Sequence, residues 1–293
     1  MKPIIFILLA FFFLYSCNNV KDSKNESLTI QDGVASTEIV DKENTNPEVI
    51  AKKNSSTTEN TQDDWYWKNT VMSKNNKFEN WEEGATNLVM TYRIKQNEAQ
   101  PRTFKVGSVS SEGVVTIDLP KEIKTETTLD NLGNLIFYDL QDISNLKYEN
   151  GNTGYFSNTT VSVEKNGTII GNITIGNSVR TTYNLTNQST LTMGDEGYLV
   201  YLVYLDDASI MIATETRTDK VRRDGTNTIE AETTVVYNLN FKPGWNFVKV
   251  EVLGKYELKH ERGLNASWFK KHEHTTVPEM PSDAAYFFRK LEY

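Results

Sequence analysis

Cysteine is almost absent from this chain: Cys17 is the single one in 293 residues. A secreted domain that is held together by disulfides needs an even set of cysteines. The sequence therefore excludes a disulfide framework, and a folded domain in this chain has to be stabilised by its hydrophobic core.

Long apolar runs are also lacking after the first residues. From Ile4 to Tyr15 the side chains are apolar apart from the tyrosine hydroxyl, and Lys2 supplies a positive charge in front of them. A membrane-spanning helix needs about 20 apolar residues, so this run is too short and instead has the length of the hydrophobic region of a signal peptide. We predict that residues 1–16 are a signal peptide and that no later segment spans a membrane.

The residues at the end of that run carry a motif. Leu14-Tyr15-Ser16-Cys17 resembles the lipobox of bacterial lipoproteins, in which an aliphatic and a small residue fit the peptidase and the cysteine thiol accepts diacylglycerol. Tyr15 differs from the small residue that is usual at its position. The resemblance implies cleavage before Cys17, lipidation of its thiol and acylation of its amine, and two or more acyl chains anchor a protein stably to a membrane. The alternative is an ordinary signal peptide with an incidental cysteine.

Aromatic residues are missing from residues 18–62, which are rich in Asn, Ser, Thr, Lys and Glu. Such a composition buries too little apolar surface to offset an ordering cost of roughly 1–2 kcal/mol per residue. We predict that residues 17–62 are a lipidated N-terminus and a disordered tether with an end-to-end distance on the order of 35–40 Å. Asn18 stands where an aspartate would mark inner-membrane retention, so we expect the protein to be anchored to the outer membrane. The sequence does not distinguish the periplasmic face of that membrane from its surface face.

Clusters of Lys and Arg with interleaved aromatics are lacking as well, and the net charge is −8. Binding to phosphate backbones favours a basic face. We therefore expect no nucleic-acid partner.

Strand signals dominate residues 63–293, where aromatic residues return with Trp65 and Trp67. Short runs of β-branched, aromatic and aliphatic residues are separated by turn residues every ten or so positions. This pattern predicts a mainly β fold, either an antiparallel β-sandwich or a barrel-like domain. One short helix is predicted at the end, where Ser282 caps residues 284–291. A turn-rich stretch at 149–154 leaves open a division of the domain near residue 150.

Four turns predict hairpins. Asn166-Gly167 has the residues of a two-residue turn with positive φ, and it joins residues 159–164 to 168–175. The other three turns are Asp206-Asp207-Ala208 between residues 198–205 and 209–214, Asp224-Gly225 before 228–240, and Pro243-Gly244 before 245–252. Further strands are predicted at 87–94, 103–106 and 114–119.

One of these turns carries a second resemblance. Residues 235–248, Val-Val-Tyr-Asn-Leu-Asn-Phe-Lys-Pro-Gly-Trp-Asn-Phe-Val, resemble a pattern in uncharacterised secreted bacterial lipoproteins. In those proteins a strand that ends Asn-Leu-x-Leu leads through Gly-Trp-Asn into the next strand. The resemblance implies a secreted β-domain and transfers no active site.

The three histidines, His260, His272 and His274, all lie late in the chain. The His272-Glu-His274 spacing places two imidazoles on one side of an extended chain, where they can chelate a divalent metal, with His260 or Glu261 as a further ligand. The alternative, which we favour, is a solvated polar loop. The sequence therefore assigns no metal ligand, catalytic residue or cofactor.

Motifs of known hydrolases and phosphate-binding loops are absent. Paired carboxylates at Asp63-Asp64, Glu82-Glu83 and Asp206-Asp207 can flank a glycosidic bond, although aspartate is also favoured in turns. Several aromatic residues can stack on a sugar: Trp65, Tyr66, Trp67, Trp81, Trp245 and Trp268. We expect a lipid-anchored cell-envelope protein whose non-catalytic β-rich domain binds a protein or ligand. The alternatives are a carbohydrate-binding accessory lipoprotein and an extracytoplasmic hydrolase with an unrecognised site.

Overall fold

The structure of the protein is a computed structural model that describes residues 70–92, 102–131, 139–187, 193–224, 227–259 and 265–291. Several of the features predicted above lie outside these residues: the signal peptide, Cys17, the tether, Asp63-Asp64, Trp65, Tyr66, Trp67 and His260.

Strands make up most of the described chain, which confirms the mainly β prediction. The strands are β1 (Thr70–Lys74), β2 (Lys77–Phe78), β3 (Thr86–Thr91), β4 (Thr103–Val109), β5 (Val115–Ile117), β6 (Thr127–Thr128), β7 (Lys147–Glu149), β8 (Gly154–Asn158), β9 (Val161–Lys165), β10 (Thr168–Gly176), β11 (Gly197–Leu205), β12 (Ser209–Asp224), β13 (Asn227–Phe241), β14 (Gly244–Lys259), β15 (Asn265–Val277) and β16 (Ala285–Lys290). The described residues also form one α-helix, α1 (Val179–Asn187), and a 3₁₀ turn at Ile143–Asn145.

The strands belong to one large mixed sheet. Its main path runs β5-β4-β3-β9-β10-β11-β14-β15-β13-β12-β7, and the remaining strands branch from it. The end strands β5 and β7 do not pair with each other, so the sheet is open and sandwich-like. All neighbours are antiparallel except β13 and β15, which run parallel. Pairing continues across residue 150, since β7 pairs with β12 and β6 pairs with β8.

Strand β11 divides two hydrophobic cores. Its residues Tyr198 to Leu205 are all buried, as expected for a continuous apolar run. The odd-numbered side chains, such as Leu199 and Val203, pack into a first core with β12 to β15. The even-numbered ones, such as Val200 and Leu202, pack into a second core with β3, β4, β9, β10 and β16. Strand β11 therefore contributes buried side chains to both hydrophobic cores of the domain.

Two of the four predicted hairpins form. The β9–β10 turn has Asn166 at φ 51° and Gly167 at φ 79°, the left-handed pair that a tight hairpin requires. Strands β12 and β13 pair along nearly their whole length. The strands of the other two hairpins exist, but their predicted pairing is wrong. β11 pairs with β14 instead of β12, and β15 lies between β13 and β14. Local turn residues do not determine pairing when a strand that is distant in sequence can bury the same face.

The predicted C-terminal helix is wrong. Residues 285–290 are β16, which pairs with both β1 and β10, and the expected cap is a turn in which the Ala284 N–H donates to the Pro281 carbonyl. Aromatic residues favour strands, and here Tyr286, Phe287 and Phe288 are all buried. Instead, a helix that was not predicted forms at α1. Its Thr- and Asn-rich sequence has poor helix propensity, although Ser178 accepts from the Thr181 N–H as an N-cap residue does. No helix in the described part of the chain is long and apolar enough to cross a membrane.

Candidate functional site

Sheet pairing brings both described histidines to the face of the first core. On β13 and β15, Val235 lies beside His272 and Tyr237 beside His274 in parallel register. On the other side of β15, Val250 of β14 lies beside His274. The alternate residues Lys271 and Glu273 lie on the opposite face, where their side chains form an ion pair. The sequence therefore placed the two imidazoles correctly on one side of a strand, but their surroundings are a core and not a solvated loop.

A carboxylate from a distant segment meets the two histidines. Oδ2 of Asp139 lies 3.2 Å from His272 Nδ1 and 2.9 Å from His274 Nε2. Its other oxygen, Oδ1, accepts a hydrogen bond of 2.6 Å from the Tyr237 hydroxyl. We call these four residues the Asp139 cluster.

The Asp139 cluster is closed by aromatic rings. His272 stacks on Phe269 with ring centroids 3.5 Å apart, and His274 stacks on Tyr237 at 3.9 Å. The exposed fraction is 1% for His272 and 0% for His274. Phe269 and His272 are both buried although they are three residues apart, so the alternation along β15 changes phase between them.

The charges of the Asp139 cluster follow from its burial and contacts. Burial acts to raise the pKa of Asp139, but the charge of His274 and the hydrogen bonds from both imidazoles hold that pKa well below its usual range. An ionised carboxylate only accepts hydrogen bonds, so His272 Nδ1 and His274 Nε2 donate to it. Burial lowers the pKa of His272 and outweighs Asp139 and the Met193 backbone, which act to raise it. Burial and the nearby Asp139 raise the pKa of Tyr237 well above its ordinary value, so its hydroxyl stays protonated and donates.

A second set of ionisable residues on β12 fixes the segment that carries Asp139. Glu215 accepts the backbone N–H of Gln141 at 3.0 Å and that of Asp142 at 2.8 Å. Arg217 donates to the Asp139 carbonyl at 2.8 Å and to Glu215 at 2.7 Å. The N–H groups and Arg217 lower the pKa of Glu215 against burial, which acts to raise it. We call residues 139–146 the strap, because they cross the first core and are held to it by these side chains.

The hypothesis of a metal site gains no geometric support. No group of three or more His, Cys, Asp or Glu residues in the described part of the chain is arranged to hold a metal ion. Both imidazoles direct a nitrogen at the same oxygen of Asp139, an arrangement that hydrogen bonds explain fully. His260, the third histidine, is outside the described residues.

The two predicted carboxylate pairs within the described residues do not face each other. Glu83 forms an ion pair with Lys290, while Glu82 is exposed. Asp206 and Asp207 occupy the turn after β11, where Thr125 donates to Asp206 and the Asp207 N–H donates to Thr153. These contacts are those of turn residues and create no pair of facing carboxylates.

The described tryptophans pack against other rings of the protein. Trp81 stacks on Phe78, Trp245 meets Tyr204 edge-on, and Trp268 contacts Phe269. Their indole N–H groups donate to Gly84, Pro120 and Thr233, respectively. Trp245 belongs to the second core, whereas Trp268 packs against the first. The described tryptophans therefore pack against the two cores, Trp81 and Trp245 against the second and Trp268 against the first.

Sequence reasoning missed Asp139, Tyr237, Glu215 and Arg217. Glu215, Arg217 and Asp219 alternate along a strand whose buried residues would ordinarily be apolar. Two features of the sequence could have indicated a buried polar centre. They are the charged side chains at every second position of one predicted strand and the His-x-His pair on another. No such signal marks Asp139.

Comparisons with family models, with curated proteins and with solved structures return no match. The geometry of the chain therefore has to carry any functional conclusion.

Proposed function

We propose that this chain is a lipid-anchored protein of the bacterial cell envelope, most consistent with the outer membrane, whose β-domain binds a protein or ligand without catalysing a reaction. The lipobox at Leu14 to Cys17 supports the anchor. The closed state of the Asp139 cluster supports a non-catalytic domain, and it is the observation that carries the proposal.

An enzyme needs its general acid or base within hydrogen-bonding reach of the substrate. Here the groups that would serve, His272 and His274, are sealed beneath Phe269, Tyr237 and the strap. Their bonds to Asp139 fix the strap on the sheet. This arrangement stabilises a structure, and it leaves the solvated strand faces and loops as the surfaces that meet a partner.

Two alternatives remain to be distinguished by experiment. A carbohydrate-binding function would depend on Trp65 and Trp67, because the rings of Trp81, Trp245 and Trp268 pack within the domain. A hydrolase would depend on the Asp139 cluster, where the described chain gathers histidines and a carboxylate.

The anchor is tested by replacing Cys17. Labelling of the producing cells with an alkyne fatty acid should mark the wild-type chain and leave Cys17→Ala unmarked. The variant should also leave the membrane fraction. Ser23→Ala, a substitution in the predicted tether, is the control and should behave as the wild type. A Cys17→Ala variant that stays labelled and membrane-bound contradicts the anchor.

The binding function is tested with the purified full chain and with intact cells. Panels of ester, amide and glycoside substrates should show no turnover with the purified chain. Cross-linking on intact cells should give the same adduct from wild type and from folded His274→Gln. Turnover that is present in the wild type and lost in folded His272→Asn would establish the hydrolase instead. Binding to a glycan array that disappears in Trp65→Ala/Trp67→Ala would establish the carbohydrate-binding alternative.

A further inference from the structure

The strap is attached to the sheet almost entirely through ionisable side chains. The Asp139 carboxylate of the strap accepts hydrogen bonds from His272, His274 and Tyr237. The Asp139 carbonyl accepts one from Arg217. The first backbone N–H groups after Leu140 donate to Glu215. The Gln141 side chain donates to Asp219 at 3.2 Å. Leu140 and Leu146 add apolar anchors in the first core. A segment attached in this way responds to protonation more than one attached by strand pairing.

The closed strap leaves His272 no favourable way to take a second proton. Its Nδ1 is directed at Asp139, its ring stacks on Phe269, and its buried Nε2 makes no hydrogen bond among the described residues. An added proton would place a charged donor at a position without an acceptor, which is costly in an apolar surrounding. An open strap would expose the His272 ring to water.

We propose that acidification releases the strap from the sheet, and that the protonation of His272 beneath it drives the release. The inference concerns a conformational device within the β-domain and stands apart from the proposed binding function.

The groups that surround the histidines support this assignment. β12 contributes Glu215, Arg217 and Asp219, and the buried tyrosines nearby are Tyr155 of β8, Tyr201 of β11 and Tyr237 of β13. Burial raises the pKa of both Tyr201 and Tyr237 well above the ordinary value, so both hydroxyls are already protonated at neutral pH and take up no proton on acidification. The facing residues of β14 are Val250 and Val252, which carry no charge.

The sign of the effect follows from His272. Burial lowers its pKa in the closed form, while an exposed imidazole has its ordinary pKa of about 6.5. Below that pH the open form binds more protons than the closed form, so the closed form loses stability as the pH falls. The pKa values of Asp139 and Glu215 are lowered, so both carboxylates stay ionised over the same range. His272 is therefore the group whose protonation favours the open strap as the pH falls.

Hydrogen exchange of the full chain tests the proposal. The N–H groups of Gln141 and Asp142 report on the strap, and those of β11, which pairs with β14 on one side, report on global unfolding. After correction for intrinsic rates, strap exchange should be faster at about pH 5 than at about pH 7.5, because the open form binds a proton at His272 that the closed form excludes. Exchange in β11 should stay unchanged. Equal strap exchange at both pH values, or equal acceleration in β11, overturns the proposal.

Two variants test the sensor. Asn places an amide nitrogen where His272 has Nδ1, so His272→Asn keeps a donor for Asp139 and cannot titrate. This variant should abolish the acid response of the strap. Glu273→Gln, on the opposite face of β15, should respond as the wild type. A folded His272→Asn variant that keeps the response overturns the assignment.

The wild type alone also decides whether His272 is the sensor, in case the variant fails to fold. The His272 ring can be titrated by nuclear magnetic resonance of the full chain, and its midpoint should coincide with the midpoint of strap exchange. A strap that opens at a pH where this ring does not titrate contradicts the proposal.

Discussion

The two cores that share β11 are built on different principles. The second core is apolar and aromatic, with Phe78, Trp81 and Phe288 in mutual ring contact. The first core has similar aliphatic residues but encloses the Asp139 cluster and the charged residues of β12. Apolar contacts tolerate many arrangements, whereas buried charges are stable only with particular partners. The difference shows that one half of the domain is specified by shape and the other also by pairing of polar groups.

The largest test of this comparison removes the centre of the first core. Asp139→Ala leaves two imidazoles and the Tyr237 hydroxyl without their acceptor, so we expect the free energy of unfolding to fall by about 3–5 kcal/mol. Chemical denaturation monitored by circular dichroism measures this loss.

The control for that loss is Asp207→Ala, an exposed substitution in the turn after β11 that should change stability by less than about 0.5 kcal/mol. If Asp139→Ala were as mild as the control, the Asp139 cluster would contribute nothing to the first core and the comparison would fail.

Much of the fold could be predicted from the sequence, because the residue patterns that determine its strands and tight turns are local. The alternation in Val161–Lys165 and the Asn166-Gly167 turn define the β9–β10 hairpin without help from the rest of the chain. The long apolar run of β11 is equally clear. The strand that pairs with β11 cannot be predicted in the same way, because β14 and β12 have similar alternating patterns. Which of the two pairs with β11 depends on the position of β15 in the sheet.

Only half of the candidate site could be predicted from the sequence. The His272-x-His274 spacing predicts two imidazoles on one side of a strand, and the structure places them so. Asp139 lies more than a hundred residues earlier, in a segment with no periodic pattern, and only the fold brings it to them. A solvated loop was expected because histidine and glutamate are polar, but alternation lets Glu273 reach the outer face while both imidazoles are buried.

A second prediction tests whether the two cores are one cooperative unit. Leu199 and Leu202 are both fully buried on β11, the first in one core and the second in the other. Leu199→Ala and Leu202→Ala should each lower the free energy of unfolding by about 2–5 kcal/mol through the cavity that remains.

Because β11 belongs to both cores, each variant should unfold in one transition that fluorescence and circular dichroism report alike. Two separate transitions, with only the core of the truncated leucine melting early, would show that the cores are independent and would change the meaning of the comparison.

The smallest expected change in the free energy of unfolding comes from removing one tyrosine hydroxyl in each core. Tyr237→Phe removes the bond to Asp139 inside the first core, where a hydrogen bond to a charged group contributes about 1.5–3 kcal/mol. Tyr198→Phe removes a bond to Asp283 at the margin of the second core, where the carboxylate is exposed to water, so we expect a loss of less than about 1 kcal/mol. Urea denaturation of the two variants measures the difference directly. Because the ring is kept in both cases, equal losses would mean that the charge of Asp139 adds nothing to the first core beyond an ordinary hydrogen bond.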